Sequence, residues 1–394
     1  MNWNRNLPAG TNDKLFREAE SAFQVEQQVN SFFQNRGFKR IETPIMEFED
    51  VFRASSESAA AIYRFFDSEG RTIALRPDMT LPIGRVISTA AITLPVKLSY
   101  SGKVFRAHPE LIGEQNEQTQ AGIEIIGFSS LKAELECILS GITILSNLAI
   151  PNFQIELGHA VIYQEILKQL QLDDKTELIF RKLLLNKSIS GIKTFVAENP
   201  SSLDDFILEL PWLFGPAEEI LQKAKQQTDN RGILAALSEL GRTVQLVEQV
   251  EPDVALSIDL GLIQDFDYYT GLIFRGYADH ASEHFLSGGR YDLLLERFGG
   301  NPTPAVGLAL HLDKIVRLKN KIGQHYRAKT PDSFVHYGLA QWKEAEHYLA
   351  AHPEAELSFF EIPEESIAYA KKWQIKRVIL INEAGIAEIY REAE

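Results

Sequence analysis

The sequence predicts an α+β chain: a largely antiparallel sheet with flanking helices, interrupted by a helical insertion and followed by a small C-terminal α/β unit. Three observations point there. Alternating apolar and polar segments, separated by short turns containing Gly and Pro, mark strands that pair antiparallel. From about residue 161 to 250 the pattern turns helical and charged, without a strand signal of comparable strength. From 332 to 394 strand and helix patterns alternate, in the order βαβαββ.

In chain order, Lys14 to Arg36 reads as a helix because Leu15, Ala19, Ala22, Val29 and Phe33 recur at three, four or seven residues. Asn12 or Asp13 is available as its cap, and Gly37 lies beyond its end. FKRIETPIMEFED, RTIALRPDMT, KLSYSGKVFRAHPE and TQAGIEIIGF then read as strands. Leu131 to Leu148 is helical, and Asn152 to Gly158 returns to strand. After the helical insertion, VALSIDLGLI, YYTGLIFRGYA and FLSGGRYD resume the strand pattern, and Ala305 to Leu318 is a strand or a helix closing the sheet. Lys319 to Asp332 is polar and reads as a linker. The expected domains are a core over 1–325 and a C-terminal unit over 332–394.

The 394 residues include 40 Lys plus Arg against 54 Asp plus Glu, a net charge of −14. Polyanion binding rests on neutralising phosphates, and no basic run offsets this acidity, so nucleic acid is not expected as a partner. The single cysteine, Cys137, excludes an intramolecular disulfide and zinc sites built on cysteine pairs. Met1 to Gly10 has no apolar signal-type segment, and the uncharged stretch Cys137 to Ile155 is broken by Ser140, Asn147, Pro151 and Asn152. The reading is of a soluble cytoplasmic protein with no membrane span and no cofactor.

Polar residues stand out within the strand patterns. In TQAGIEIIGF, Gln120, Gly122 and Glu124 share one face, and Gln120 and Glu124 lie about 13 Å apart at roughly 3.3 Å per residue. Two polar groups flanking a glycine gap suit either a small zwitterion lying across the sheet or a face turned to solvent. LRPDMT presents Asp78 and Thr80 on one face, where they could orient an ammonium group or make a turn. Arg106, read as mid-strand in KVFRAHPE, suits a carboxylate ligand or an internal salt bridge. Asp267, Tyr268, Tyr269 and Thr270 form either an aromatic wall for a ligand or part of the core.

Together these segments resemble the catalytic core of the histidyl-tRNA synthetases, which are class II aminoacyl-tRNA synthetases. LPAGTNDKLFREAE is similar to that family's N-terminal signature, LRPDMT to its LRPEGT loop, KVFRAHPE to its motif 2 and DYYTG to its histidine-specific loop. SGGRYDLLLERFGGNPTPAVGLALHLDKI is similar to its motif 3, and the resemblance runs from about Pro8 to Leu318. GFKRIETPIMEFEDVF resembles motif 1, through which class II cores pair, and so implies a homodimer.

The departures from that pattern fall on the nucleotide side. Gln264 stands where the synthetases carry an arginine three residues before Asp-Tyr-Tyr, and losing one such preorganised stabiliser costs about 3 to 4 kcal/mol in a transition state. Lys314 replaces the motif 3 arginine that stacks on adenine, and His311 replaces a glycine beside it. His108 replaces a motif 2 glutamate, and Glu114 and Asn116 replace arginines of the following loop. By position, Glu124 and Tyr269 match the residues that read the imidazole, Gln120 the one beside the ammonium and carboxylate, and Thr80 its neighbour. Asp78 stands for the ammonium-binding glutamate, and Arg106 is kept.

A retained amino-acid pocket with lost nucleotide contacts resembles the regulatory subunits of ATP phosphoribosyltransferase, synthetase-like paralogues that serve histidine biosynthesis. The resemblance implies a non-catalytic subunit associated with a separate short catalytic subunit, histidine as feedback effector, and a homodimer within a hetero-oligomer. The histidine-binding set it implies is Asp78, Thr80, Arg106, Gln120, Glu124, Tyr268 and Tyr269. The competing reading is an active histidyl-tRNA synthetase. A third reading, a metalloprotease built on His280, Glu283 and His284 as H-x-x-E-H, requires a helix where the pattern indicates a hairpin loop.

Overall fold

The computed structural model describes residues 3–52, 62–90, 92–108, 114–263, 268–326 and 330–392. The chain forms two compact units, Met1–His325 and Tyr326–Glu394.

Helix α1 (Arg17–Asn35) buries Val29 and Phe33 of the predicted stripe together with Val25, while Ala19 and Ala22 are half-buried and Leu15 lies before the helix, exposed. It begins three residues later than expected, and neither Asn12 nor Asp13 caps it, because Phe16 takes the cap position at φ 46°. Lys14 instead forms an ion pair with Asp313, which holds the preceding segment out of the helix. Gly37, at φ 78°, closes the helix in the left-handed region as expected.

The strands of the first unit follow as β1 (Lys39–Arg40), β2 (Met46–Phe48), β3 (Arg64–Phe66), β4 (Thr72–Leu75), β5 (Val96–Phe105), β6 (Glu117–Ile126) and β7 (Phe153–His159). They continue as β8 (Phe214–Pro216), β9 (Ala255–Asp259), β10 (Leu272–Ala278), β11 (Leu286–Arg290) and β12 (Ala305–His311). Nine of them make one sheet in the order β1-β5-β6-β12-β11-β10-β7-β9-β8. Every pairing is antiparallel except β1 with β5 and β7 with β9. Strands β2, β4 and β3 form a separate small sheet.

Two segments depart from the strand reading. RTIALRPDMT leaves strand geometry at Leu75, and Thr80 opens helix α2 (Thr80–Thr89). Asp78 and Thr80 therefore do not share a strand face: Asp78 Oδ1 accepts the Leu81 N–H at 2.9 Å and caps the new helix. Arg106 is likewise not mid-strand. It is the first residue past β5, although its N–H still bonds the Asn116 carbonyl at 2.8 Å.

Helix α3 (Lys132–Asn147) precedes β7, and the stretch after β7 folds as α4 (Ala160–Leu170), α5 (Asp174–Leu185), α6 (Ile189–Glu198), α7 (Asp204–Glu209), α8 (Ala217–Gln226) and α9 (Arg231–Val250). This stretch also returns β8 to the sheet edge beside β9, a strand too short and too rich in Gly and Pro to show in the pattern. Ala305 to Leu318 contains both a strand and a helix, since α10 (Leu312–Lys321) follows β12 directly. Glycine shapes the packing of α3, because a Cβ at Gly141 would sit 2.7 Å from Leu286.

The second unit comprises β13 (Ser333–Tyr337), α11 (Trp342–Ala351), β14 (Ala355–Leu357), α12 (Pro363–Trp373), β15 (Arg377–Asn382) and β16 (Gly385–Arg391). Its sheet order is β14-β13-β15-β16, with the first three strands parallel. Val335, Ala345 and Ile379 form one core cluster, and Phe334, Ala370 and Val378 form another. No helix among the described residues is long and apolar enough to cross a membrane.

Register places Gly122 of β6 between Tyr100 of β5 and Ala309 of β12. A Cβ there would be driven into the Leu308 carbonyl and the Tyr100 hydroxyl, and backbone cannot yield as a side chain can. Gly122→Ala is expected to destabilise the chain by about 1 to 3 kcal/mol in urea unfolding. Gly241→Ala, inside α9 with only Leu221 Cδ1 at 3.4 Å, is expected to be neutral or stabilising by up to about 1 kcal/mol. Equal effects at the two positions would contradict this packing.

Candidate functional site

The alternation of β6 turns Gln120, Gly122 and Glu124 to one face of the main sheet, and the antiparallel register sets His311, Ala309 and Gly307 of β12 directly beside them. On that face lies a cavity lined by Asp78, Thr80, Arg106, Gln120, Glu124, Tyr268 and Tyr269, so all seven candidate residues meet in one place. Tyr100, Ser287 and Tyr291, which the sequence pattern does not single out, line it too, as does His284 from the expected hairpin loop. Tyr100 is invisible to pattern because its position depends on the β5–β6 register. Tyr291, by contrast, stands within the GGRYD run that carries part of the motif 3 resemblance.

Glu124 is 1 % exposed. Its Oε1 accepts from Thr80 Oγ1 at 2.7 Å and its Oε2 accepts from the Tyr291 hydroxyl. Burial pushes the Glu124 carboxyl up to about 7, against the lowering effect of those two donors. Gly307 makes the arrangement possible, since a Cβ there would occupy the place of Glu124 Oε2.

The LRPDMT loop is anchored from beneath. Arg76, buried, donates from Nη1 to the Thr43 carbonyl at 2.6 Å and from Nε to the Lys103 carbonyl at 2.8 Å. Arg106 Nε donates to the Pro77 carbonyl at 3.0 Å. These bonds hold Asp78, whose Oδ2 is buried and without a hydrogen-bond partner. Burial raises the Asp78 carboxyl above its ordinary range, with the Leu81 N–H and the Arg106 charge opposing it. Gln120 Oε1 and His311 Nδ1 are also buried and unpartnered.

The Tyr269 ring lies over Gly289, where a Cβ would come within 2.8 Å of it, and its carbonyl accepts from Gln164 Nε2 at 3.2 Å. Tyr268 is buried in the core cluster with Tyr100 and Tyr291 and also lines the cavity. Asp267 and Gln264 lie outside the described residues.

At the other end of the cavity, His284 and His311 meet edge to face at 5.9 Å. Burial, reinforced by the charges of Arg275, Lys314 and Arg106, lowers His284 to about 3, so the ring is neutral. His311 is lowered well below its ordinary value by burial, Arg106 and Lys314. Lys314 itself forms an ion pair with Glu283 and donates to the His284 carbonyl at 3.3 Å. His108 Nε2 lies 3.1 Å from Glu114 Oε2. Asn116, buried, donates to the Ala9 carbonyl at 3.0 Å and to the Tyr63 hydroxyl at 2.7 Å, and accepts from the His108 N–H at 3.0 Å. Lys314 and Asn116, at two of the positions where the resemblance sets nucleotide contacts, are thus engaged by other groups of the chain. His280, Glu283 and His284 lie on the turn between β10 and β11, and among the described residues no cluster of His, Cys, Asp and Glu could hold a metal ion.

The carboxyl of Glu124 and the ring of His284 give the site opposite pH signatures. Relative to Glu124→Gln, wild-type stability is expected to be highest below the ordinary carboxyl value of 4.5 and to decline as pH rises toward about 7. Relative to His284→Gln, it is expected to rise from about pH 3 to the ordinary imidazole value of 6.5. Urea midpoints measured at intervals of pH check both, and parallel curves for the variants and the wild type would contradict them.

A family model described as histidyl-tRNA synthetase matches residues 10–315. The chain is 58 % identical over 395 residues to an ATP phosphoribosyltransferase regulatory subunit of Listeria monocytogenes serovar 1/2a (strain ATCC BAA-679 / EGD-e), covering 100 % of both chains. It is 57 % identical to the same subunit of Listeria monocytogenes serotype 4b (strain F2365), covering 99 % of this chain and 98 % of that one. Among solved structures, an ATP phosphoribosyltransferase regulatory subunit/histidyl-tRNA synthetase from Bacillus halodurans C superposes with a TM-score of 0.82 at 24 % identity. That match spans 95 % of this chain and 97 % of the other, and supports the class II synthetase-like fold.

Proposed function

The chain belongs to the ATP phosphoribosyltransferase regulatory subunits, within the histidyl-tRNA synthetase-like family, and on that premise we propose that its cavity is a receptor for free histidine. As a regulatory subunit it associates with the catalytic subunit of ATP phosphoribosyltransferase and serves histidine biosynthesis without catalysing a reaction itself.

One observation carries the histidine reading: three buried polar atoms without partners, Asp78 Oδ2, Gln120 Oε1 and His311 Nδ1, converge on the cavity that holds Glu124. A carboxylate oxygen and an amide oxygen only accept, so Asp78 and Gln120 call for a donor such as an ammonium group. Glu124 has acceptor capacity left beyond Thr80 and Tyr291, which suits an imidazole N–H, with Tyr269 as the wall against the ring. Arg106 and His311 suit the ligand's carboxylate. Histidine offers an imidazole N–H, an ammonium and a carboxylate to these groups, and leaving the buried acceptors unpaired costs about 1 to 3 kcal/mol each.

Activation of the amino acid is not part of this function. Lys314 is held by Glu283, Asn116 is consumed by the Ala9 carbonyl and Tyr63, and Glu114 adds negative charge where a nucleotide would bring its own. Histidine acts instead as an effector. It shifts the complex only in so far as it binds an inhibited arrangement better than an active one, a difference usually worth about 1 to 3 kcal/mol. The exposed Met46, Phe48 and Phe66 of the β2-β4-β3 sheet suit burial against a second copy, giving a homodimer within the hetero-oligomer, working in the cytoplasm.

The test is histidine inhibition of the complex reconstituted from both subunits. Glu124→Ala, checked for folding by circular dichroism, is expected to raise the histidine concentration for half-inhibition by about 10- to 100-fold. Unchanged inhibition in a folded, assembled variant would place the sensor elsewhere. Histidine-dependent exchange of pyrophosphate into ATP by the wild-type chain would restore the synthetase reading.

A further inference from the structure

The C-terminal unit carries a surface that its fold does not explain. Strands β14, β13 and β15 run parallel, so their carboxyl ends leave the sheet along one edge, and β15 turns into β16 there through the pair Asn382 and Gly385. The segments leaving that edge hold Leu339, Trp342, Phe359, Ile362 and Ile386 at the surface, with Leu339 85 % and Phe359 83 % exposed. Leu357 pairs with Val335, Tyr337 with Ile381 and Ile381 with Ile386, so the row runs across three strand spacings, about 14 Å. Exposed apolar side chains gathered on one edge mark a contact surface rather than scattered surface residues.

The edge is also held rigid. His336 Nδ1 meets Ser366 Oγ at 2.7 Å, Ser366 Oγ meets Ser358 Oγ at 2.6 Å, and Ser358 Oγ accepts the Phe360 N–H at 3.2 Å, all in the interior. This chain fixes the turn that presents Phe359. Trp342 packs against Tyr337 with ring centroids 5.6 Å apart. A preordered surface loses less freedom on binding.

The rim of the edge selects the partner. Glu361, Glu364, Glu365 and Glu383 are exposed beside the apolar row. Carboxylates there repel a polyanion, which argues against nucleic acid. A symmetric contact between two copies would bring the same acidic rims together, which argues against self-association. We propose that this edge is the docking surface for the catalytic subunit of ATP phosphoribosyltransferase, which would meet it with an apolar face rimmed by Lys and Arg. The proposal rests on the family membership above and is independent of where histidine binds.

Leu339→Ser with Phe359→Ser in the full-length chain tests it, since both side chains are exposed and their loss leaves the core intact. Binding to the purified catalytic subunit is read by calorimetry at low and moderate salt. The double variant is expected to bind at least about 10-fold more weakly. Glu364→Lys with Glu365→Lys is expected to slow association and flatten its salt dependence. An affinity within twofold of wild type for both variants would overturn the proposal. So would a change confined to self-association of the isolated chain, seen by sedimentation velocity. Failure of the wild type itself to bind the catalytic subunit would instead overturn the family reading.

Discussion

Glu124 lies in the interior of β6 with its carboxylate out of water, and a buried carboxylate is tolerated only where donors reach it. That requirement organises three elements around one strand. Thr80 must open α2 at the right height, Tyr291 must leave β11 on the same face, and Gly307 must give up its side chain. The LRPDMT loop is then placed by Arg76 from beneath, and Asp78 arrives at the cavity as a consequence. Even with two donors the carboxyl is raised to about 7 by burial.

The same cavity is asymmetric in its unmet demands. Around Glu124, Asp78 and Gln120 buried acceptors remain to be paired, whereas at the other end Lys314 and Asn116 are engaged by Glu283, the Ala9 carbonyl and Tyr63, and only His311 Nδ1 still faces the cavity unpaired. Lys314 with Glu283, His108 near Glu114 and Asn116 with Tyr63 leave little free cationic character for a polyphosphate. On the proposed reading, that division suits a subunit that recognises an amino acid without activating it. The C-terminal unit carries an apolar edge with an acidic rim, the surface proposed above for docking.

Much of this was legible from spacing alone. The alternation Gln120, Gly122, Glu124 placed three side chains on one face because a strand's period is two, and the stripe Val29 and Phe33 placed a helix because its period is near 3.6. The failures have equally physical causes. Asp78 and Thr80 were read as a strand because RTIALRPDMT alternates, but the capping bond from Leu81 to Asp78 converts the segment into a helix start. The cap of α1 was misplaced because Lys14 is claimed by Asp313, almost three hundred residues away in sequence. Tyr100 was missed because its place beside Gly122 is a property of register between two strands, which no single strand encodes. His284 was assigned to a loop and indeed stands on one, but the hairpin folds its ring back into the cavity.

The claim at the centre of this account is that the end product sits on Glu124. A crystal structure of the complex of both subunits with histidine tests it most directly. Histidine is expected in the cavity, its imidazole against Glu124 and Tyr269 and its ammonium against Asp78 and Gln120. Histidine bound elsewhere in the complex, with this cavity still empty, would contradict it.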